Sequence, residues 1–252
     1  MNGILSGIQN FFEGQPIVKF GLLLGLALVI SASMLSGAII HRDSDESISV
    51  TGAATKIIQS DHAVWQIKFA RQGKDLKGTF ASMAKDLGLV KTYLQKQSVD
   101  EKAWNIAPVS TTTLYVKNAQ GYDSNTVDAY KLEQTVRIES DDPKKLEALS
   151  QQAIDLINQG VVLDSQSPEF YFTKLDNLKI DMLGEATKNA VERGRKIAQS
   201  TGRDVGVLRS ADVGVFQITA KNSTEVSDYG IYDTTSIEKK VTAVVNATFS
   251  VR

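Results

Sequence analysis

An unbroken uncharged run, Phe20 to Ile40 (FGLLLGLALVISASMLSGAII), constrains this chain more than any other feature. At about 1.5 Å per helical residue it reaches across the ~30 Å hydrocarbon core of a bilayer. The expectation is one N-terminal transmembrane helix: residues 1–42 form an N-terminal segment and anchor, and residues 43–252 form an exported domain. A secretory signal peptide is the competing reading, because Lys19 precedes the run and Ser36, Gly37 and Ala38 lie near its end. The apolar core of such peptides covers only ~7–15 residues, which favours retention as an anchor.

Orientation is balanced by charge. Lys19 and the terminal amine on one side face Arg42 on the other, and acidic residues count for little in the positive-inside rule. The expected arrangement is a single pass through the cell's inner (cytoplasmic) membrane, N-terminus inside, with the C-terminal domain in the periplasm or outside the cell. The pairs Gly21/Gly25 and Ser33/Gly37 give small-xxx-small spacing that lets two anchors pack closely. Small residues are common in membrane helices, so the absence of specific pairing carries more weight. Upstream, Ile4, Leu5, Ile8, Phe11 and Phe12 have the makings of an interfacial turn of helix.

Beyond the anchor about 210 residues remain, enough for one large domain or two small coupled units. The 28 basic and 29 acidic residues nearly cancel, so no global field attracts nucleic acid, and none is expected as a partner. The chain has no cysteine, which excludes disulfides, Cys-based metal sites and thiol catalysis.

Asp43 to Ser47 is a polar spacer. Strand signals start at Ile48 and Val50, break at Gly52, and resume at Ala63, Trp65, Ile67 and Phe69. A helix is expected from about Asp75 to Gln97, with Leu76, Phe80, Met83, Leu87, Val90 and Leu94 as its inner stripe. A strand starts near Trp104 and Ile106. Another alternates through Tyr130, Leu132, Gln134, Val136 and Ile138, and Gln134 needs hydrogen-bond partners if buried. Asp141 or Asp142 then caps a helix with Pro143 near its first position, Leu146, Leu149, Ala153 and Leu156 inside, and Gly160 at its end. After a strand around Phe170 to Thr173, Asp176 opens a long helix to about Thr201, stopped by Gly202. Strands at Val205 and from Val241 to Val251 complete the chain.

Both halves read strand, long helix, strand, long polar loop, strand. The two loops, Lys117 to Asp128 and Ala220 to Glu238, each mix Gly, Tyr, Asp, Asn and Ser. The expected fold class is α+β: duplicated βαββ-like units with antiparallel sheet and long packed helices, behind the anchor.

The segments ISVTGAATKIIQSDHAVWQIKF, DAYKLEQTVRIES and EATKNAVERGRKIAQSTGRDVG carry a family resemblance. Their notable positions are Val50, Gly52, Asp61 and Ala63, then Tyr130 and Gln134, then Ala186, Ala190, Ala198, Gly202 and Gly206. In these residues and in element order, the chain from Ile48 to Arg252 resembles the SIMPL-domain family, whose bacterial members include periplasmic and outer-membrane immunogenic proteins. It departs from the family at Ser60, where proline usually precedes the aspartate, a change expected to loosen a turn without altering the fold. The resemblance implies an α+β domain that assembles into large homo-oligomers, ring- or channel-like in some relatives. It also implies a link to oxidative-stress defence, and it brings no catalytic residues to carry over.

The residues themselves offer little catalytic chemistry. The two histidines, His41 at the membrane edge and His62 at a strand start, stand outside any metal-ligand spacing. No nucleophile elbow, phosphate-binding loop or dinucleotide fingerprint occurs. Asp141/Asp142 and Asp176/Asp181 are better explained as helix caps than as catalytic pairs. No catalytic residue, metal ligand or cofactor is therefore expected.

Two surfaces are candidates for binding. On the last helix Lys188, Arg195 and Lys196, within a basic stretch that includes Arg193 and Arg203, are candidate anion contacts. A solvated face with local ion pairs is the plainer explanation. Tyr122, Tyr229 and Tyr232 in the polar loops, with Ala186 and Ala190 on the helix, are candidate interface residues. The alanines suit close approach of another backbone, either the domain's own sheet or a neighbouring subunit. The leading functional expectation is a non-enzymatic envelope protein, held in the bilayer through residues 20–40, whose exported domain self-assembles into a ring, cage or channel. The first rival is a module that binds an unknown envelope ligand. A hydrolytic or redox enzyme is the second, disfavoured by the absent cysteines and sparse histidines.

Overall fold

The computed structural model describes residues 16–43, 46–164 and 166–252. It is a mixed α+β structure with two five-stranded sheets, antiparallel in their described pairings save for one short parallel pair. The chain divides into two compact units. One comprises Met1–Gly52, Ala190–Asp212 and Asn246–Arg252, the other Ala53–Asn189 and Val213–Val245.

The first unit holds helix α1 (Pro16–Asp43), whose side chains are described at 20–21 and 23–34. Its apolar residues surround the axis instead of lining one stripe, and Phe20, Leu23, Val29 and Met34 are each about two-thirds exposed or more. Among the described residues no helix is long and apolar enough to cross a membrane. The expected interfacial turn at Ile4 to Phe12, the spacer residues 44–45 and the side chains of Lys19, Gly37, His41 and Arg42 lie outside the described residues.

Strand β1 (Ser47–Gln59) runs straight through Gly52, where the sequence suggested a break. Gly52 is buried in the strand, and a glycine that needs no special turn need not interrupt a ladder already satisfied on its neighbour. Within this unit Gly194 of α5 (Leu175–Ser200) sits against Val205, Phe249 and Val50, with 3.4–3.6 Å left for any added Cβ. Gly202, at φ 76°, ends that helix in the left-handed region, as its position after the last apolar turn predicted.

The second unit is built on strand β2 (His62–Gly73), which pairs along its whole length with β5 (Asp123–Ser140) from Ala63↔Ser140 to Gly73↔Tyr130. Short β3 (Trp104–Ile106) and β4 (Ser110–Lys117) pair with β5 on its other side, and β6 (Glu169–Tyr171) pairs with the start of β2. Helix α2 (Leu76–Lys96) is capped by the Asp75 carboxylate, which accepts from the Gly78 amide. Its buried residues are Thr79, Met83, Asp86, Val90, Tyr93 and Leu94, whereas Leu76 and Phe80, expected on the inner stripe, are exposed. Among them Asp86 meets Arg71, and the Thr79 hydroxyl donates to the Asp75 carbonyl.

Helix α3 (Pro143–Gln152), capped by Asp142, is followed after Ala153 by a separate short helix α4 (Ile154–Asn158) rather than continuing to Gly160. Leu146, Leu149, Ala153 and Leu156 are nonetheless all buried, in one core with Trp65, Phe69, Met83 and Ile138. Gln134 is buried and its Nε2 donates to the Ala107 carbonyl at 3.0 Å, the partner its position required.

The other sheet runs β1, β10 (Glu238–Val251), β8 (Gln217–Ala220), β9 (Ile231–Tyr232), with β7 (Val205–Val213) also paired to β10. Strands β1 and β10 and helix α5 each contribute residues to both units.

Candidate functional site

The loop between β8 and β10, read from sequence as a polar hairpin loop, is held from inside. Lys239 is fully buried in β10, yet its ammonium donates to the carbonyls of Asp233 at 2.6 Å and Ser236 at 2.5 Å. It also faces the Asp233 carboxylate at 3.5 Å. That carboxylate accepts from the amide and hydroxyl of Thr235 and from the Ser236 hydroxyl. Burial alone would raise the Asp233 pKa; the hydrogen bonds and the nearby ammonium outweigh it and bring it down to about 2. For Lys239 burial wins over the attraction of Asp233 and pushes its pKa down. Further along, Gln217 both donates to the Ser227 carbonyl and accepts from the Ser227 amide, and Lys240 reaches the Ser223 carbonyl.

The clamp displays the tyrosines. Tyr229 is 97% exposed beside Gly230, whose φ of 83° makes the turn. Tyr232 is exposed in β9, its ring 6.4 Å from that of Tyr171. Tyr122 belongs to another element altogether: it is exposed at the tip of the β4–β5 hairpin, where the Asn118 side chain accepts from the amides of Gln120 and Tyr122. Residues Lys117 to Asp128, expected as a loop, are thus mostly hairpin strand.

Ala186 and Ala190 have no exposed surface, so the close approach their small size permits is made inside the chain. Lys188, Arg195 and Lys196 all lie on the exposed side of α5; neighbouring Arg193 turns back to the Thr51 carbonyl. Around Gly21 and Gly25 the helix surface is open, with nothing within 4 Å of an added Cβ.

One cleft brings polar groups together. It has a volume of about 480 Å³, a floor of Ile138, Leu146 and Leu149, and a rim that includes His62, Asp100, Glu139, Asp141 and Lys145. His62 Nδ1 lies 2.9 Å from Asp141 Oδ1, and Nε2 lies 3.8 Å from Glu139 Oε2. Nε2 therefore faces a second carboxylate, and Ser98 and Ser140 also line the cleft. Among the described residues no three His, Asp or Glu side chains converge for a metal ion. The sequence marked His62 as a strand-start histidine; its carboxylate neighbours come from a different strand end and were invisible in local spacing.

The positions that carried the resemblance have structural tasks. Asp61 accepts from the Thr173 amide and hydroxyl at 2.7 and 2.8 Å, fixing the chain after β6. Ser60, expected to loosen its turn, donates its amide to the Ile237 carbonyl at 2.9 Å, a bond proline could not make. Its buried hydroxyl has no protein partner. A comparison with curated proteins gives no match. Residues 48–249 match the family SIMPL, described as a protein of unknown function (DUF541). That match covers nearly all of the folded chain beyond α1 and its spacer, and the chain belongs to the SIMPL family.

Proposed function

We propose that this is a non-enzymatic, membrane-anchored cell-envelope protein whose exported SIMPL domain self-assembles into a ring, cage or channel-like homo-oligomer. One observation carries the reading: α1 is apolar all round and exposes its large side chains, an arrangement suited to a lipid environment and unlike an amphipathic surface helix. The expected placement is the inner membrane, N-terminus inside, the domain on the outer side. Avidity among several anchors would hold such an assembly on the bilayer. We also read the two sheets as a duplicated βαββ-like plan, since β5 and β10 each pair with one long strand and with two shorter ones. In oxidative-stress defence the domain would act as a structure, because the chain lacks thiols and Met83 and Met182 are buried. The Tyr229 tip and the Tyr122 hairpin remain candidate contacts, and Lys188, Arg195 and Lys196 a candidate anion surface.

The test is particle mass in solution for the detergent-extracted full chain and for the fragment 42–252. A large defined oligomer in both supports assembly through the domain. An oligomer of the full chain alone assigns assembly to the anchor, and monomers in both sink the proposal.

The cleft beside His62 favours a second reading, capture of a small envelope ligand with an apolar body over Ile138, Leu146 and Leu149. Saturable binding that is lost in His62→Ala, with unchanged thermal stability, would support it over assembly.

A further inference from the structure

The first unit is joined to α1 by a very short lead. The uncharged run ends at Ile40 and α1 at Asp43, three residues or about 4.5 Å further along a helix. Only residues 44 and 45 then separate α1 from Glu46, whose carbonyl already accepts from the Val251 amide at 2.9 Å. The three Cα steps from Asp43 to Glu46 reach at most ~11 Å. With α1 across the bilayer, the Glu46 backbone therefore stands no more than ~15 Å from the hydrocarbon, and the headgroup layer fills ~5–8 Å of that.

Glu46 marks one end of this unit. Asp204 and Arg252 exchange amide-to-carbonyl bonds at 2.8 and 2.9 Å, and the Arg203 guanidinium pairs with the Glu46 carboxylate. The start of β1, the end of β10, the start of β7 and the turn that closes α5 thus share that end, with the Arg203 amide tied back to the Ala198 carbonyl. Arg195, Lys196 and Ile197, in the last two turns of α5, are all exposed. Neither the Arg195 nor the Lys196 side chain has an ion-pair or hydrogen-bond partner among the described residues. The acids nearest the turn are taken, Glu46 by Arg203 and Asp204 by the Val205 amide. Two free cations beside an exposed apolar side chain suit the layer between hydrocarbon and water, where long stems lie on the surface and charged heads meet lipid phosphates.

We propose that this end of the domain rests on the bilayer that α1 enters, with Arg195 and Lys196 bound to phosphate groups of the lipid headgroups. This rests on the anchoring proposed above and gives two of the candidate anion contacts their ligand; Lys188 belongs to the other unit and is not part of it. The contact is local and does not depend on a net positive field, because Asp43 and Asp45 lie in the same stretch of chain.

The test uses the full-length chain in vesicles of phosphatidylethanolamine and phosphatidylglycerol that carry a nitroxide on a fraction of the headgroups. The chain has no cysteine, so a single one can be placed and labelled with a fluorophore. Ser200→Cys ends α5, and Ser210→Cys lies ~20 Å beyond Asp204 along β7; both positions are exposed. Quenching at position 200 is expected to exceed that at 210 at least twofold. Arg195→Gln with Lys196→Gln is expected to halve the quenching at 200 without shifting thermal unfolding. Equal quenching at the two positions overturns the membrane-facing end. Stronger quenching at 200 that the double variant leaves unchanged overturns the phosphate contact, since the short lead alone then holds the end in place. A natural chain that alkaline carbonate strips from the vesicles overturns the anchoring reading as well.

Discussion

Lys239 is a cation with no exposed surface, and it is tolerated because two carbonyls and a carboxylate surround its ammonium. Lys239→Met removes the donor but leaves the Asp233 and Ser236 carbonyls and the Asp233 charge behind. The expected cost is about 3 kcal/mol, measured as a lower urea midpoint with an unchanged slope. Acid should act through the same cluster. The Asp233 pKa, about 2 in the folded chain against an ordinary 3.8, lies below its unfolded value, so the group's stabilisation is complete above pH ~4 and fades as pH falls toward 2. It is worth about 2 kcal/mol at neutral pH, and Asp233→Asn should flatten the stability profile across that window. The lowered pKa of Lys239 has the same sign in another window: the unfolded chain holds this proton more tightly, so stability again rises with pH, here in the alkaline range as pH climbs toward 10.5. These residues also change how the tyrosine loop can be probed. Deleting Ser223 to Ser236 would strip Lys239 of Asp233 and Ser236 and Gln217 of Ser227, so single changes at exposed Tyr229 are the cleaner test of a contact there.

At the scale of elements, Arg71 on β2 and Asp86 on α2 form a two-pronged pair at 2.5 and 2.7 Å, and Arg71 also reaches the Gly160 carbonyl. The pair ties the buried face of α2 to β2. Arg71→Ala leaves the Asp86 carboxylate, 3% exposed, without its cation and is expected to cost about 3 kcal/mol. Replacing both, Arg71→Met with Asp86→Leu, is expected to recover most of that in urea unfolding, since an apolar pair leaves no buried charge. This pair also explains where sequence patterning succeeded and failed. The periods of β5, β10, α3 and α5 were legible because each buries one apolar face, and the caps at Asp75 and Asp142 stood where the chemistry of an N-cap puts them. The inner face of α2 was read correctly at Met83, Leu87, Val90 and Leu94 but not at Leu76 and Phe80, and the polar members of its buried line, Thr79 and Asp86, were missed because a buried ion pair looks polar in sequence. Strand β4 was missed because Ser110–Lys117 buries no residue fully, only Thr113 and Leu114 being half-buried, and so shows no apolar alternation. The His62 cleft and the Lys239 clamp were hidden for a related reason: the groups that meet there are brought together by strand pairing and a loop return, which local spacing does not encode.

For the whole molecule, the apolar helix and the folded domain make separate physical demands. The SIMPL match begins at residue 48, so α1 lies outside it, and the core cluster that holds Trp65, Phe69, Met83 and Leu156 is made of residues of the second unit. If α1 spans the bilayer, arginine at two of its central positions, Leu24→Arg with Leu28→Arg, carries an insertion penalty of ~2.5–3.5 kcal/mol each. The double variant is expected to leave the membrane pellet after alkaline carbonate extraction while the natural chain stays in it. Resistance of the domain to protease should be the same in both, because the two leucines are exposed and support no packing in the folded chain. Equal extraction of the two proteins would mean that α1 does not integrate, and the proposed anchoring would fall with it.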